Sequence, residues 1–396
     1  MKLLFLVADG MGDWPLAALD GKTPLEAAHT PNMDELARTG LVGRCRTVPE
    51  GLPPGSDVAN MSLLGFDPSV HHTGRGPIEA AAQGLILDPD DLVWRMNLVT
   101  VSEFTPDGIM RDYSSGHIRT EESAPLVRDL QENLGDEMFS FHPGVQYRHL
   151  LVQKGGALED EARIRVRPPH DITDRPIRPD MLAFSKSARL WDLVHLAVER
   201  LAEKTNPTKA NAVWPWGQGR PLTLSPFQER FGLTGMAISA VDLIRGLGRA
   251  MSMEVPEIPG VTGLLDTNYE GKVAAALDFL DRGGDFAFVH VEAPDECGHA
   301  GNAADKVESL ARFDARVVGP LRAALAGQDV AWVVTCDHYT PIAEKTHTPD
   351  PVPFLFHYPG CAASGLPGFS ERLAQGTGLI LEQGHEFMDW ALKQIR

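Results

Sequence analysis

Four groups of carboxylates and imidazoles follow short apolar runs in this chain. Asp9-Gly-Met-Gly-Asp13 comes directly after Leu3–Ala8, and Asp295 and His299 come soon after Phe286–Val291. Asp337-His338 closes Val330–Thr335, and His347 stands in Lys345–Pro349 a little downstream. Aspartate oxygens combined with imidazole nitrogens suit Zn²⁺, Mn²⁺ or a related ion better than Ca²⁺, which takes oxygen ligands. One aspartate after a strand is an ordinary turn or cap residue. Four clusters at the ligand-binding edge of one sheet read as a metal site. A nucleophile is offered by Pro53-Pro-Gly-Ser56-Asp-Val-Ala-Asn60. Its prolines and Gly55 make a rigid turn that presents Ser56 at a helix start. Helix N-terminal amides and nearby metal ions lower the cost of a Ser56 alkoxide. By itself Ser56 is an N-cap serine; beside a metal pair it is a candidate nucleophile.

The elements that must position these residues alternate in type. Leu3–Ala8, Phe286–Val291 and Val330–Thr335 read as buried parallel strands that run into polar loops. Thr30-Pro31-Asn32 caps a helix over Met33–Thr39 that Gly40 closes, and helical periodicity covers Lys272–Arg282 and Asp305–Ala326. This is the α/β pattern of a doubly wound, mostly parallel sheet, whose ligands sit beyond the carboxyl ends of the strands. The middle of the chain reads differently, with strand-like Leu92–Val101, Tyr147–Gln153 and Ala162–Arg167 around a helix over Glu121–Leu134. Residues 91–180 therefore read as a small inserted α+β domain. A catalytic domain formed by 1–90 and 181–396 surrounds it, and the Pro-rich stretch 167–179 is the linker back.

Bulk properties limit the partners. With 54 acidic against 36 basic residues, the net charge of −18 excludes a basic footprint for nucleic acid or an acidic membrane. A phosphorylated substrate would meet a repulsive global field, so its anion site must be made locally, from arginines and metal ions. The opening apolar run ends at Asp9 without a cleavage pattern, which fits a first strand rather than a signal peptide. The four cysteines, Cys45, Cys297, Cys336 and Cys361, form no Cys-x-x-Cys pair, as expected of a protein in a reducing cytoplasm.

In order, Asp9-Gly-x-Gly12, Gly55-Ser-Asp-x-Ala59, Asp295-x-x-x-His299, Asp337-His338 and His347-Thr-x-x-Pro-Val-Pro353 resemble one family. It is the archaeal-type 2,3-bisphosphoglycerate-independent phosphoglycerate mutase family, within the alkaline phosphatase superfamily. The likeness runs over nearly the whole chain, through Gly21–Ala28, Gly74–Ala80 and Leu265–Tyr269. It implies one divalent ion held by Asp9, Ser56, Asp337 and His338 and a second held by Asp295, His299 and His347. The ions would be Mn, Zn, Co or Mg. It also implies a phosphate and a glycerate carboxylate gripped by basic residues, for which Arg75, His117 and Arg148 stand here. Where the family commonly has a lysine, this chain has Arg245 in Asp242-Leu-Ile-Arg-Gly246, a planar fork in place of a compact ammonium. Cys297 and Cys336, beside presumed ligands, read as small buried neighbours.

The activity implied is interconversion of 3-phosphoglycerate and 2-phosphoglycerate through a phosphoserine at Ser56, a glycolytic step in the cytoplasm. Two ions roughly 3.5–4 Å apart would clamp the phosphoryl group, and the inserted domain would hold the glycerate. Thr47–Asn60 also marks a bacterial subgroup proposed as homoserine kinases of threonine biosynthesis. No Gly-x-x-x-x-Gly-Lys-Ser/Thr and no kinase-like Gly-rich loop accompanies it here. A non-enzymatic binding protein on the same scaffold would be expected to lose ligands, and all seven are present.

Overall fold

A computed structural model describes residues 1–203 and 206–395 of the chain. Its strands are β1 (Lys2–Ala8), β2 (Leu41–Cys45), β3 (Leu92–Val101), β4 (Met110–Asp112), β5 (Phe139–His142) and β6 (Arg148–Gln153), followed by β7 (Ala212–Gly219), β8 (Gly235–Ile238), β9 (Phe286–Val291), β10 (Val330–Thr335), β11 (Val352–His357) and β12 (Ile380–Leu381). The chain divides into two compact units, Met1–His72 with Thr223–Arg396, and Thr73–Leu222.

The first unit is built on a mixed α/β sheet of order β12-β2-β11-β10-β1-β9-β8. Only β11 runs antiparallel to its neighbours β10 and β2; the other adjacent pairs are parallel. The unbroken apolar runs of β1, β9 and β10 belong to strands covered on both faces, and their residues are buried accordingly. Register then does the positioning. Val7 pairs with Thr335 and Ala8 with Val291, so the three strands end level and their following loops emerge at one edge. Asp9, the helix Ala293–Ala300 and Asp337-His338 therefore start side by side.

The helix starting at Pro31 forms as expected, but Thr30 makes no side-chain cap. The buried carboxylate of Asp314 takes that place, accepting from the backbone N–H of Asn32 (3.2 Å) and Met33 (2.7 Å). The long helix expected over Asp305–Ala326 is broken in the middle. Ala303–Phe313 leads through a π-helical turn, Asp314–Val318, into Gly319–Ala324. Pro320 cannot donate to that turn, and the N–H of Gly319 reaches back five residues to Asp314.

The second unit has an antiparallel sheet, β4-β3-β6-β5, with β7 also paired to β3. Its core gathers Trp94, Met96 and Leu98 of β3 with Val127 and Leu130 of the helix Thr120–Leu134, and with Phe184 and Trp214. This unit is larger than the 91–180 expected from sequence, because its boundary is set by long-range pairing. β7 hydrogen-bonds along β3, and the helix Arg75–Gln83 lies so close that a Cβ on Gly76 would stand 2.5 Å from the Val93 carbonyl. Two smaller readings are also corrected. Ala162–Arg167 is no strand: Asp160–Arg163 is a 3-10 turn and the rest is irregular. The Pro-rich 167–179 is packed rather than a free linker, since Arg167 pairs with buried Asp180 at 2.6 Å and its carbonyl accepts from the Trp214 indole.

Candidate metal centre and nucleophile

The loop after β1 owes its shape to two glycines. Gly10 has φ +61, and a Cβ there would stand 2.6 Å from both Asp295 Oδ1 and Thr340 Oγ1. Its N–H donates to Asp337 Oδ1 at 3.1 Å, which ties Asp9 to the loop after β10. A Cβ on Gly12 would meet the Tyr339 ring at 2.1 Å. Just beyond, Asp13 pairs with the fully buried Lys306 at 2.8 Å, and the same ammonium donates to the carbonyls of Gly12 and Thr340. Asp-Gly-x-Gly is thus the dent into which the helix bearing Asp295 and the loop bearing Asp337 fit.

Both sets of residues implied by the family resemblance come together. His299 Nε2 lies 3.2 Å from Asp295 Oδ2 and 3.0 Å from His347 Nε2, and His347 Nε2 lies 3.5 Å from Asp295 Oδ1. His338 Nε2 lies 3.6 Å from Asp9 Oδ1, 3.4 Å from Asp337 Oδ2 and 3.2 Å from Ser56 Oγ. The two groups adjoin through the His338 and His347 rings, whose centroids are 4.0 Å apart. Ser56 opens the helix Ser56–Leu63, and Asn60 one turn on donates to both the Ser56 carbonyl and Asp337 Oδ2 at 2.8 Å. Geometry alone also groups the ligand atoms of Asp295, His338 and His347, and those of Asp9, His290 and Asp337, each within 4.8 Å. His290 was not expected. Its only signal in the sequence is a lone imidazole inside the apolar run of β9.

Charge explains what the cluster is fit for. Asp9, Asp295 and Asp337 are all buried, whereas Asp13 and Glu292 are already matched by Lys306 and Lys272. Burial, reinforced by the Asp337 and Asp295 carboxylates, pushes Asp9 well above the usual carboxylate range. Burial also acts against Asp337 and Asp295. There the imidazoles outweigh it, His338 and His290 for Asp337 and His299 and His347 for Asp295, and both stay below that range. The Asp295 hydrogen bond raises His299 to about 9, a proton position that a cation can take over. Burial lowers His338, the direction that favours a free ring lone pair. Asp9 Oδ1 and His290 Nε2 are buried with no hydrogen-bond partner. Three buried carboxylates, several imidazoles and a serine oxygen, two of whose atoms have no partner, form a donor set that fits two divalent cations. Cys297 and Cys336 are buried, with thiols raised by burial, Cys297 to about 11, so they stay protonated neighbours.

Arg75, His117 and Arg148 lie on the second unit. Tyr113 connects the last two, with its ring 6.4 Å from His117 and 5.6 Å from Tyr147, over which Arg148 sits at 5.7 Å. Buried Arg95 joins the group without having been expected from sequence. It pairs with Glu79 at 2.9 Å and lies over Trp216 at 5.0 Å. Burial lowers the Arg95 guanidinium; Glu79 opposes this, and the nearby charges of Arg75 and Arg148 add to it. His170, 6.2 Å from the Tyr113 ring, is likewise lowered by burial, with Arg75 and Arg95 adding to the effect against Asp171. Arg245 is on the first unit, in the helix Asp242–Ala250, with its guanidinium engaged by Glu257.

Known proteins share this arrangement of chain. Residues 37–206 match the family model of 2,3-bisphosphoglycerate-independent phosphoglycerate mutase. The chain is 45% identical to the mutase of that name from Methanosarcina barkeri, with 99% of this chain and 100% of that one covered. It is 44% identical, over 99% of this chain and all of the relative, to a probable mutase of the same kind from Geobacter sulfurreducens. Among solved structures, a protein from Pyrococcus horikoshii superposes with a TM-score of 0.84 at 28% identity, covering 100% of this chain and 97% of that one. The cofactor-independent phosphoglycerate mutase of Thermoplasma acidophilum gives 0.66 at 27% identity, with both chains fully covered. With identity at this level over the full length of both chains, this protein belongs to the 2,3-bisphosphoglycerate-independent phosphoglycerate mutase family.

Proposed function

We propose that the chain interconverts 3-phosphoglycerate and 2-phosphoglycerate through a phosphoserine at Ser56, a step of glycolysis and gluconeogenesis in the cytoplasm. The observation that carries this reading is Ser56 Oγ at a helix N-terminus, 3.2 Å from His338 and beside the buried Asp9 and Asp337. Asp9, Ser56, Asp337 and His338 would hold one ion, and Asp295, His299 and His347 the other; manganese suits both sets. Bound ions supply Lewis acidity that stabilises the Ser56 alkoxide and the charge on the transferring phosphoryl group.

Ser56 Oγ gives up its proton and bonds to phosphorus as the bond from phosphorus to the C3 oxygen breaks, and that oxygen takes up a proton to become the 3-hydroxyl of glycerate. The glycerate 2-hydroxyl then gives up its proton and bonds to phosphorus as the Oγ–phosphorus bond breaks, and Oγ regains a proton as the Ser56 hydroxyl. The helix dipole at Ser56 favours its anionic form in both half-reactions. Asn60, bonded to the Ser56 carbonyl and to Asp337, fixes the nucleophile's backbone against the carboxylate loop. The glycerate must not leave between steps. Arg75, Arg95, Arg148 and His117 of the second unit offer the cations and polar groups that grip a carboxylate and a phosphate. An acceptor retained in this way gains an effective concentration of about 10⁵–10⁸ M over an untethered one.

The test is incubation of Mn²⁺-loaded protein with 3-phosphoglycerate, without nucleotide and without 2,3-bisphosphoglycerate. Formation of 2-phosphoglycerate is expected, along with its loss on chelation. No interconversion, together with formation of O-phosphohomoserine from ATP and homoserine, would overturn the reading in favour of a kinase.

A further inference from the structure

His290 is the next-to-last residue of β9, opposite Val7 of β1 and fully buried. The hydrogen bonds around its ring determine its tautomer. On the Nδ1 side stand Ser239 Oγ at 3.3 Å and Glu292 Oε1 at 3.4 Å. The Ser239 hydroxyl donates its own hydrogen to Glu292 Oε1 at 2.8 Å and accepts from the Val241 N–H at 3.0 Å. Glu292 is an ionised acceptor. Its Oε1 also accepts from the Ala240 N–H at 2.6 Å, and its Oε2 accepts from the fully buried Lys272 ammonium at 2.8 Å. Both neighbours of Nδ1 therefore present lone pairs, so Nδ1 carries the hydrogen. Lys272 also donates to the His290 carbonyl at 2.6 Å, which fixes the strand as well as the carboxylate.

In the neutral ring the other nitrogen bears a lone pair, and it faces the oxygens of two carboxylates. Nε2 lies 3.3 Å from Asp9 Oδ2 and 3.9 Å from Asp337 Oδ2, and it makes no hydrogen bond. Asp9 Oδ1 is also without a partner. The buried ligand atoms of His290, Asp9 and Asp337 lie within 4.8 Å of one another, a convergence of one imidazole and two carboxylates that suits a cation. We infer that His290 is a direct donor to the ion held by Asp9 and Asp337. Glu292 orients the ring and Lys272 anchors Glu292, an arrangement in which a carboxylate fixes a histidine that fixes a metal. This rests on the two-ion reading above and adds to it a ligand from inside a strand, more rigid than ligands borne on loops.

The experiment uses the whole protein loaded with Mn²⁺, unlabelled and with ¹⁵N-histidine, and counts the histidine nitrogens coupled to manganese by pulsed electron paramagnetic resonance. Four coupled histidines, His290 with His299, His338 and His347, are expected in the wild type. His290→Asn should remove one coupling and weaken one of the two Mn²⁺ sites by about 10- to 100-fold in a metal titration. Glu292→Gln should keep all four couplings and weaken the same site. Three couplings in the wild type, or His290→Asn with unchanged couplings and affinity, would overturn the inference. Either result would leave the two-ion centre standing, with the ring an imidazolium partner of Asp9. The wild-type count decides even where a variant fails to fold. A wild type that binds no Mn²⁺ overturns the two-ion reading and this inference together.

Discussion

Gly10→Ala tests whether the glycine loop holds the proposed metal ligands in place or merely turns the chain. An added methyl would stand 2.6 Å from Asp295 Oδ1 and Thr340 Oγ1 and 2.9 Å from Asp295 Cα. Against an ordinary contact of 3.4 Å the shortfall is about 0.8 Å, and the Asp295 segment must move by roughly that much. Active-site geometry tolerates about 0.5 Å, and a misplacement near 1 Å can cost about 100-fold in rate. The φ of +61 adds a backbone penalty of roughly 1–2 kcal/mol for a residue with a Cβ. Gly21→Ala is the control, because its φ is +77 but nothing lies within 4 Å of its added methyl. Both variants should lose roughly 1–2 kcal/mol in urea unfolding. Only Gly10→Ala should also lose about 100-fold in kcat/KM, equivalent to about 2.7 kcal/mol, and bind Mn²⁺ more weakly. Equal activity and equal Mn²⁺ affinity in the two variants would refute the reasoning.

Three further outcomes are expected. Ser56→Ala should reduce phosphoglycerate interconversion by at least about 1000-fold while leaving the melting temperature nearly unchanged; a tenth of wild-type turnover would remove Ser56 from the nucleophile's role. Arg148→Ala should lower transfer by about tenfold or more relative to hydrolysis of a simple phosphate ester, and equal losses of both would make Arg148 structural. Glu371, which accepts from Asp13 N–H and the Thr23 hydroxyl, is raised by burial from 4.5 to about 7. Its folded-state value exceeds the unfolded one, so its contribution to stability is complete below pH 4.5 and is lost as pH rises through 7. Over that window the stability gap between wild type and Glu371→Gln should shift by about 3 kcal/mol in favour of the variant, and a flat difference in urea titrations would remove Glu371 as the source.

The parts legible in the sequence were those whose causes are local. An unbroken apolar run ending in Asp or Asp-His declares both a covered strand and what emerges at its end, which is why Asp9, Asp337 and His338 could be read directly. Ser56 was legible for the same reason, since prolines and a glycine before a helix start leave the side chain little choice of place. What was not legible depended on partners far away in the chain. Asp314 caps the helix at Pro31 from 281 and 282 residues away, and no local rule prefers it to Thr30. The boundary of the second unit depends on β7 pairing with β3, and Arg95 comes beside Arg148 through the pairing of β3 with β6. His290 shows the limit most clearly. A single imidazole in an apolar strand reads as a core histidine until Glu292, Ser239 and Lys272 are seen to fix its Nδ1 and turn its other nitrogen toward Asp9. Lys272 itself lies 20 residues from Glu292, on a helix whose periodicity gives no sign that it carries a buried charge. The sequence thus shows the candidate ligands that end strands. The residues that hold those ligands in position become visible only when register and packing bring their charges together.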